Sequence, residues 1–482
     1  SATLTKNGTY ANQTVVLPTT NFKVGSWNLA GSSTEDILLT TLSFDVDAVS
    51  DVEFAAGDMT NMYVVVKNGA TVVAQTSPIS TVAAADNNFS INYTLAKNTN
   101  VSIELFANLA DDGSATSIDA TDSVKTDLTV TGTAMVSGSA VTATSADTDG
   151  QTIAAGTASI TATADASTPV AAIVYDNQTV TAAAFKFDAV TSAYDITDLV
   201  FTLADATVAQ SVDLYDGATL VASRPGASTV TFSGLAWNIP ANTNKVLTAK
   251  LVLGSVGVGA GSTGASQLLT LTDFTAINKS TGVSAAGTES NPAGNAMYTY
   301  AATPTITNVA LPTTTLNTGT QTVSKFAVST NGGSIGWKKL IFTITKSISG
   351  TDTLASATLW DADTNTQVAG TATFTGSVEA DNDTAGGLTF VATNEQQISG
   401  TKTYYLKMTV AGTLANGDNM SVYIDQLPTS FAASDTYANV AATTATFAWS
   451  DLSASGHSTT TTDWVNSYLV KNLPTDTQTL TY

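Results

Sequence analysis

The chain has no cysteine, one histidine (His457) and one arginine (Arg224) among 482 residues. Each scarcity removes a class of chemistry. Without thiols there is no thiolate zinc site, no iron–sulfur cluster and no cysteine nucleophile. One imidazole is too few for a histidine-based metal site, unless several chains share one. Charge is scarce as well. Charged residues make up only 12% of the chain, about half the usual share. Acidic residues outnumber basic ones 39 to 17, for a net charge of −22. Such a chain cannot present the basic stripe that nucleic acid or an anionic membrane surface requires. No apolar run approaches the roughly 20 residues of a membrane-crossing helix, so membrane insertion is not expected. The opening SATLTKNGTY is not a signal peptide, and a start at Ser fits a chain from which a signal was removed.

What fills the chain is Thr, Ser, Ala and Val. Thr and Val are β-branched and favour strands, and 43% hydrophobic residues suffice for a packed core. Three blocks recur in the same order. The first is EDILLTTLSFDV (35–46), YDITDLVFTL (194–203) and IGWKKLIFTI (335–344), carrying Phe44, Phe201 and Phe342. The second is a hairpin: MYVVVKNGATVVA (62–74), LYDGATLVAS (214–223) and ATLWDADTNTQVA (357–369). Asn68-Gly69 and Asp216-Gly217 are the turn signals, because Gly takes the positive φ of a primed turn. The third is a turn leading into an alternating strand, as in KVLTAKLVL (245–253). Period-two alternation means a half-buried strand.

The expected fold class is therefore all-β: three tandem immunoglobulin-like antiparallel β-sandwich domains. The domain limits are 1–150, 151–302 and 303–482, the last with a C-terminal extension. On these features the chain resembles bacterial and archaeal surface-layer proteins. It is also similar to repetitive exported proteins of small-genome, uncultured bacteria. The resemblance implies an extracellular, cell-surface location and a structural role. No surface-layer anchoring motif and no sortase signal is recognised.

Chemistry is thinly spread. Residues 449–466, with His457 flanked by Asp451 and Asp463, admit a Ser–His–Asp reading, but no nucleophile-elbow motif accompanies it. An exposed loop histidine is the expectation, and no enzyme activity is expected. Glutamates such as Glu35, Glu104, Glu379 and Glu395 are too scattered to suggest a glycosidase pair. Asp-rich loops suit calcium, which takes several hard oxygen ligands. The candidate ligands are Asp147 and Asp149 in DTDG, and Asp361, Asp363 and Asn365 in DADTN. EADNDTAGG (379–387) and LADDGS (109–114) are further candidates. Ordinary turn chemistry of Asp and Asn is the competing explanation. Asn-X-Ser/Thr sequons, among them Asn7, Asn12, Asn88 and Asn382, make glycans possible. A carbohydrate-binding array would need an exposed aromatic platform, which scattered Trp27, Trp237, Trp337 and Trp360 do not show. Trp449, Trp464 and Tyr468 form a cluster near the C-terminus, read as a capping strand pair or as an intersubunit contact. The functional expectation is self-assembly into a surface-layer lattice. The alternative is a subunit of an extracellular filament or adhesin, joined by donation of the strand within residues 3–17.

Overall fold

A computed structural model describes residues 1–49, 53–112, 118–145, 148–381 and 383–482. The architecture is almost all-β, with several sheets. Among the described residues, a six-residue α-helix, Tyr437–Ala442, and a single 3-10 turn, Ala56–Asp58, interrupt the strands.

The three sequence blocks become one arrangement used three times. In the first repeat a five-stranded sheet runs Thr3–Lys6, Thr19–Ala30, Asn100–Leu109, Met59–Asn68, Thr71–Gln75. The second repeat holds the same order as Ser159–Ala164, Thr179–Val190, Thr243–Leu253, Ala209–Asp216, Thr219–Pro225. The third holds it as Thr303–Asn308, Gly319–Asn331, Thr401–Gly412, Asp352–Asp361, Thr366–Gln367. Opposite each lies a sheet with the Phe-bearing strand inside it: Ile37–Ala48, Tyr194–Leu203 or Ile335–Ser347.

Alternation explains why these segments settle as strands. In Thr243–Leu253, Leu247, Ala249, Leu251 and Leu253 are buried while Val246, Thr248, Lys250 and Val252 stay half-exposed. The buried faces of each sheet pair share one core, drawn from residues 2–155, 160–276 and 300–480 respectively. At the centre of each core an aromatic from the five-stranded sheet meets the repeated phenylalanine of the other. Trp27 lies 5.5 Å from Phe44, Phe185 5.4 Å from Phe201, and Phe326 5.7 Å from Phe342. Burying one such side chain fully contributes roughly 1.5–3 kcal/mol.

The hairpin turn differs in detail from the sequence expectation. The closing pairs are Asn68↔Thr71 and Asp216↔Thr219, so the loop residues are Gly69-Ala70 and Gly217-Ala218. Both glycines have φ of +58°. Glycine at the first loop position alone is the type II′ pattern. Asp216 is released for other bonds: its carboxylate accepts from Trp237 Nε1 and Lys245 Nζ, each at 2.9 Å.

The pairing is also not purely antiparallel. Gln13–Val15 runs parallel to Ile153–Ala155. Thr161-Ala162 runs parallel to Thr288-Glu289, and Ala172–Tyr175 to Met297–Tyr300. In the third repeat isolated parallel bridges join Thr305 to Lys471 and Thr315 to Thr481. These contacts bring the early and late segments of each repeat together. The N-terminal strand Thr3–Lys6 pairs within its own repeat, against Trp27–Ala30.

Candidate functional site

The DADTN loop closes the third hairpin. Asp361 Oδ1 accepts the backbone N–H of Asp363 at 2.9 Å and of Thr364 at 3.2 Å, and its Oδ2 lies 3.3 Å from Lys402 Nζ. Burial pushes this carboxyl up, but the two N–H groups and Lys402 prevail and hold it below the usual range. Asp363 Oδ2 accepts from Thr403 N at 3.4 Å, and Asn365 Oδ1 accepts from the Tyr405 hydroxyl. The loop oxygens are thus directed at the turn itself and at the adjacent strand Thr401–Gly412.

Asp149 sits beside the strand Ser123–Ala134, bridged to Asp127. Its Oδ2 lies 2.8 Å from Lys125 Nζ. Hydrogen bonds from Lys125 and Asp127 hold Asp149 low, while burial and the neighbouring Asp149 push Asp127 up to about 7. Asp147 lies outside the described residues, as does the sequon residue Asn382.

A third acidic group forms where the first repeat turns into its central hairpin. Asp58, Asp111 and Asp112 bring carboxylate oxygens within 4.8 Å of one another. That donor set is one a divalent cation takes. Asp58 is buried, and it caps its own turn by accepting from Ala55 N at 2.9 Å and Asp112 N at 3.0 Å. Burial, then the charges of Asp112 and Asp111, push its carboxyl up against those two bonds. The motif LADDGS marks two of the three residues. Asp58, in AAGDM, carries no signal of its own because the contact spans 54 positions.

His457 is not the exposed loop residue expected. Its side chain is 12% exposed and wedged between two carboxylates. Nδ1 lies 2.7 Å from Asp463 Oδ2, and Nε2 lies 2.9 and 3.0 Å from the two oxygens of Glu395. Burial alone would lower its pKa; Glu395 and Asp463 outweigh burial and raise it. A general base needs a free ring nitrogen facing a nucleophile. Here both nitrogens are occupied, and the Thr461 hydroxyl, 3.5 Å from Nδ1, donates to Asp463 Oδ1 at 2.6 Å. Asp451, the other partner considered, is elsewhere: it belongs to the junction of the second and third repeats.

At that junction Asp451, 2% exposed, accepts four hydrogen bonds. Two come from the second repeat's side, Thr263 Oγ1 at 2.7 Å and Ala301 N at 2.9 Å. Two come from Ser453, through its N–H at 3.2 Å and hydroxyl at 2.7 Å. Burial pushes this carboxyl up against those bonds. Aromatic contacts also cross this junction. Tyr300 packs 5.2 Å from Trp449, Tyr298 stacks on Phe431 at 3.9 Å, and Tyr468 meets Tyr298 edge-on. Trp449 and Trp464 are fully buried, on a strand pair that continues the sheet beside Ile335–Ser347. The C-terminal aromatics therefore cap the third repeat and seat the second on it.

No protein-family model matches the chain, and no curated protein matches it. Among solved structures, the C-terminal domain of the Streptococcus agalactiae AgI/II polypeptide BspA covers 55% of this chain and 95% of its own. The identity is 10% and the TM-score 0.17. The secreted serine protease VesC from Vibrio cholerae covers 54% of this chain and 48% of its own, at 13% identity and a TM-score of 0.15. At such scores neither overlap carries an argument.

The tryptophans considered for sugar binding form no exposed platform. Trp27, Trp237 and Trp337 are buried in three separate cores. Trp360 is half-buried, stacked on Tyr405 and covered by Lys407 Nζ, 4.2 Å from its ring.

Proposed function

We propose that this chain is a non-enzymatic structural protein of the cell exterior, a filament or adhesin subunit built from three immunoglobulin-like sandwiches in series. One observation carries the reading: the architecture recurs in all three repeats, while none of the polar sites described above does; the Asp–Lys pair that ends the hairpin strand is shared by the second and third repeats alone. Strand order, hairpin and inter-sheet aromatic pair recur in all three repeats. The Asp58 group, the Asp127–Asp149 pair and the His457 clamp each occur at a different place in the plan. A duplicated binding module keeps its site; a repeated scaffold keeps only its fold. Extracellular placement is supported by the cysteine-free, acidic, Thr-rich composition.

Self-association is the implied partnership. The hairpin strands Thr71–Gln75 and Thr219–Pro225 end their sheets, and they expose Val72 and Leu220 at matching positions, 50% and 51%. Such an edge is a template for another chain. A second reading, a calcium-bridged surface-layer lattice, is favoured by the net charge of −22 and the Asp58 group.

Negative-stain electron microscopy of the purified chain, with calcium and then with chelator, separates the two. Fibres in both conditions support the filament. Sheets that form with calcium and dissolve in chelator support the lattice. Dispersed monomers in both conditions overturn self-assembly.

A further inference from the structure

We propose that Lys346 and Asp352 form an intramolecular amide bond that covalently ties the two sheets of the third repeat. Lys346 ends the strand Ile335–Ser347 of one sheet, and Asp352 begins the strand Asp352–Asp361 of the other. Lys346 Nζ and Asp352 Oδ2 are in direct contact, with side chains only 2% and 3% exposed. A buried ion pair carries the desolvation of both charges. Amide formation needs an amine and a carboxylic acid, which differ from this ion pair only by one proton passed between the two contacting groups. The two groups are held side by side without solvent.

The surroundings fix the geometry, and a glutamate stands next in sequence to one of the Lys346 acceptors. Lys346 Nζ also donates to Ala380 O at 2.8 Å, and Asp352 N donates to Asp381 Oδ1 at 3.1 Å. Gly412 and Gly350 let the backbones close tightly around Asp352. A Cβ at Gly412 would lie 1.9 Å from Thr351 O, and one at Gly350 2.3 Å from Thr413 O. Glu379 precedes Ala380, and its carbonyl accepts from Leu354 N at 3.0 Å. Its Oε2 is buried without a hydrogen-bond partner. An unpartnered buried carboxylate oxygen is costly; carrying the proton of the step would give it a use.

In the step, the Lys346 amine adds its lone pair to the Asp352 carboxyl carbon, forming the C–N bond. Glu379 takes the amine proton and returns it to the departing hydroxyl. The C–O bond breaks and one water leaves, so amine plus acid gives amide plus water with no oxidant or co-reactant. The other repeats lack a lysine at this place. Four residues after the repeated phenylalanine stands Lys346 in the third, but Ala48 in the first and Asp205 in the second.

Intact-mass spectrometry of the denatured full chain tests the proposal. The expected mass is lower than that of the sequence by one water, with tryptic cleavage after Lys346 blocked. Lys346→Met and, separately, Asp352→Ala should each restore the full mass of their own sequence. Glu379→Gln should leave a large unlinked fraction; complete linkage in that variant would overturn the role given to Glu379. A wild-type chain at its full sequence mass overturns the bond. So does a lost water with Lys346 still cleaved, which marks a cyclised aspartate instead.

Discussion

The carboxylate of Asp451 accepts a hydrogen bond from the Thr263 hydroxyl at 2.7 Å across 188 positions of sequence. This contact is the polar centre of the junction between the second and third repeats. Asp451→Ala leaves Thr263, Ala301 N and Ser453 without their buried acceptor. The expected cost is roughly 2–4 kcal/mol. Thermal unfolding checks it, and limited proteolysis should show new cleavage near residues 298–301.

The repeated aromatic pair is expected to dominate each core. Phe342→Ala should destabilise the third repeat by roughly 3–5 kcal/mol, since it empties space beside Phe326. Leu220→Ala, on an exposed edge, should change stability by less than about 0.5 kcal/mol. Denaturant titration of both variants tests the contrast. Equal effects would contradict the assignment of the core.

The His457 clamp sets a pH dependence. Its folded pKa is raised above the ordinary histidine value, so the folded state favours the protonated ring. The stabilisation is fully present below the unfolded value of about 6.5 and is lost as pH rises through the higher folded value. Melting temperature should therefore fall over that window, and His457→Gln should flatten the fall. A slope unchanged in that variant would count against the clamp.

Asp127 acts in the same direction at a different place. Its folded pKa, about 7 against 3.8 unfolded, favours the protonated acid. Its contribution is complete below the unfolded value and disappears as pH rises through about 7. Asp127→Asn should raise stability above pH 7 relative to the parent. Carboxyl NMR titration of the parent reads the Asp127 value directly.

Calcium is expected to stabilise the first repeat through Asp58, Asp111 and Asp112. Binding at a hundredfold excess over Kd adds about 2.7 kcal/mol. Chelator should therefore lower the melting temperature, and Asp58→Asn should abolish the difference. Identical melting with calcium and with chelator would exclude this site.

Much of the fold was legible because its signals are local. Alternation in KVLTAKLVL and the glycines at 69 and 217 mark strands and turns within ten residues. The polar sites were legible only in part because they are assembled by distant segments. LADDGS shows Asp111 and Asp112 but not Asp58. His457 has Asp463 six residues away, yet Glu395 is 62 away. The DADTN loop resembles a cation loop in sequence, while in the structure its side chains serve the turn, Thr403, Tyr405 and Lys402. The parallel pairings involve runs as short as two or three residues, too brief for any periodicity to register.

Those parallel pairings have a mechanical consequence. Where an early and a late segment of one repeat lie side by side and run the same way, tension between the chain ends pulls them in opposite directions along their length. The inter-strand bonds are then loaded together in shear instead of being peeled one at a time. Gln13–Val15 with Ile153–Ala155 places such a fastening in the first repeat, Thr161-Ala162 with Thr288-Glu289 in the second, and Thr315 with Thr481 in the third. A chain built this way resists stretching more strongly than its melting temperature alone would suggest.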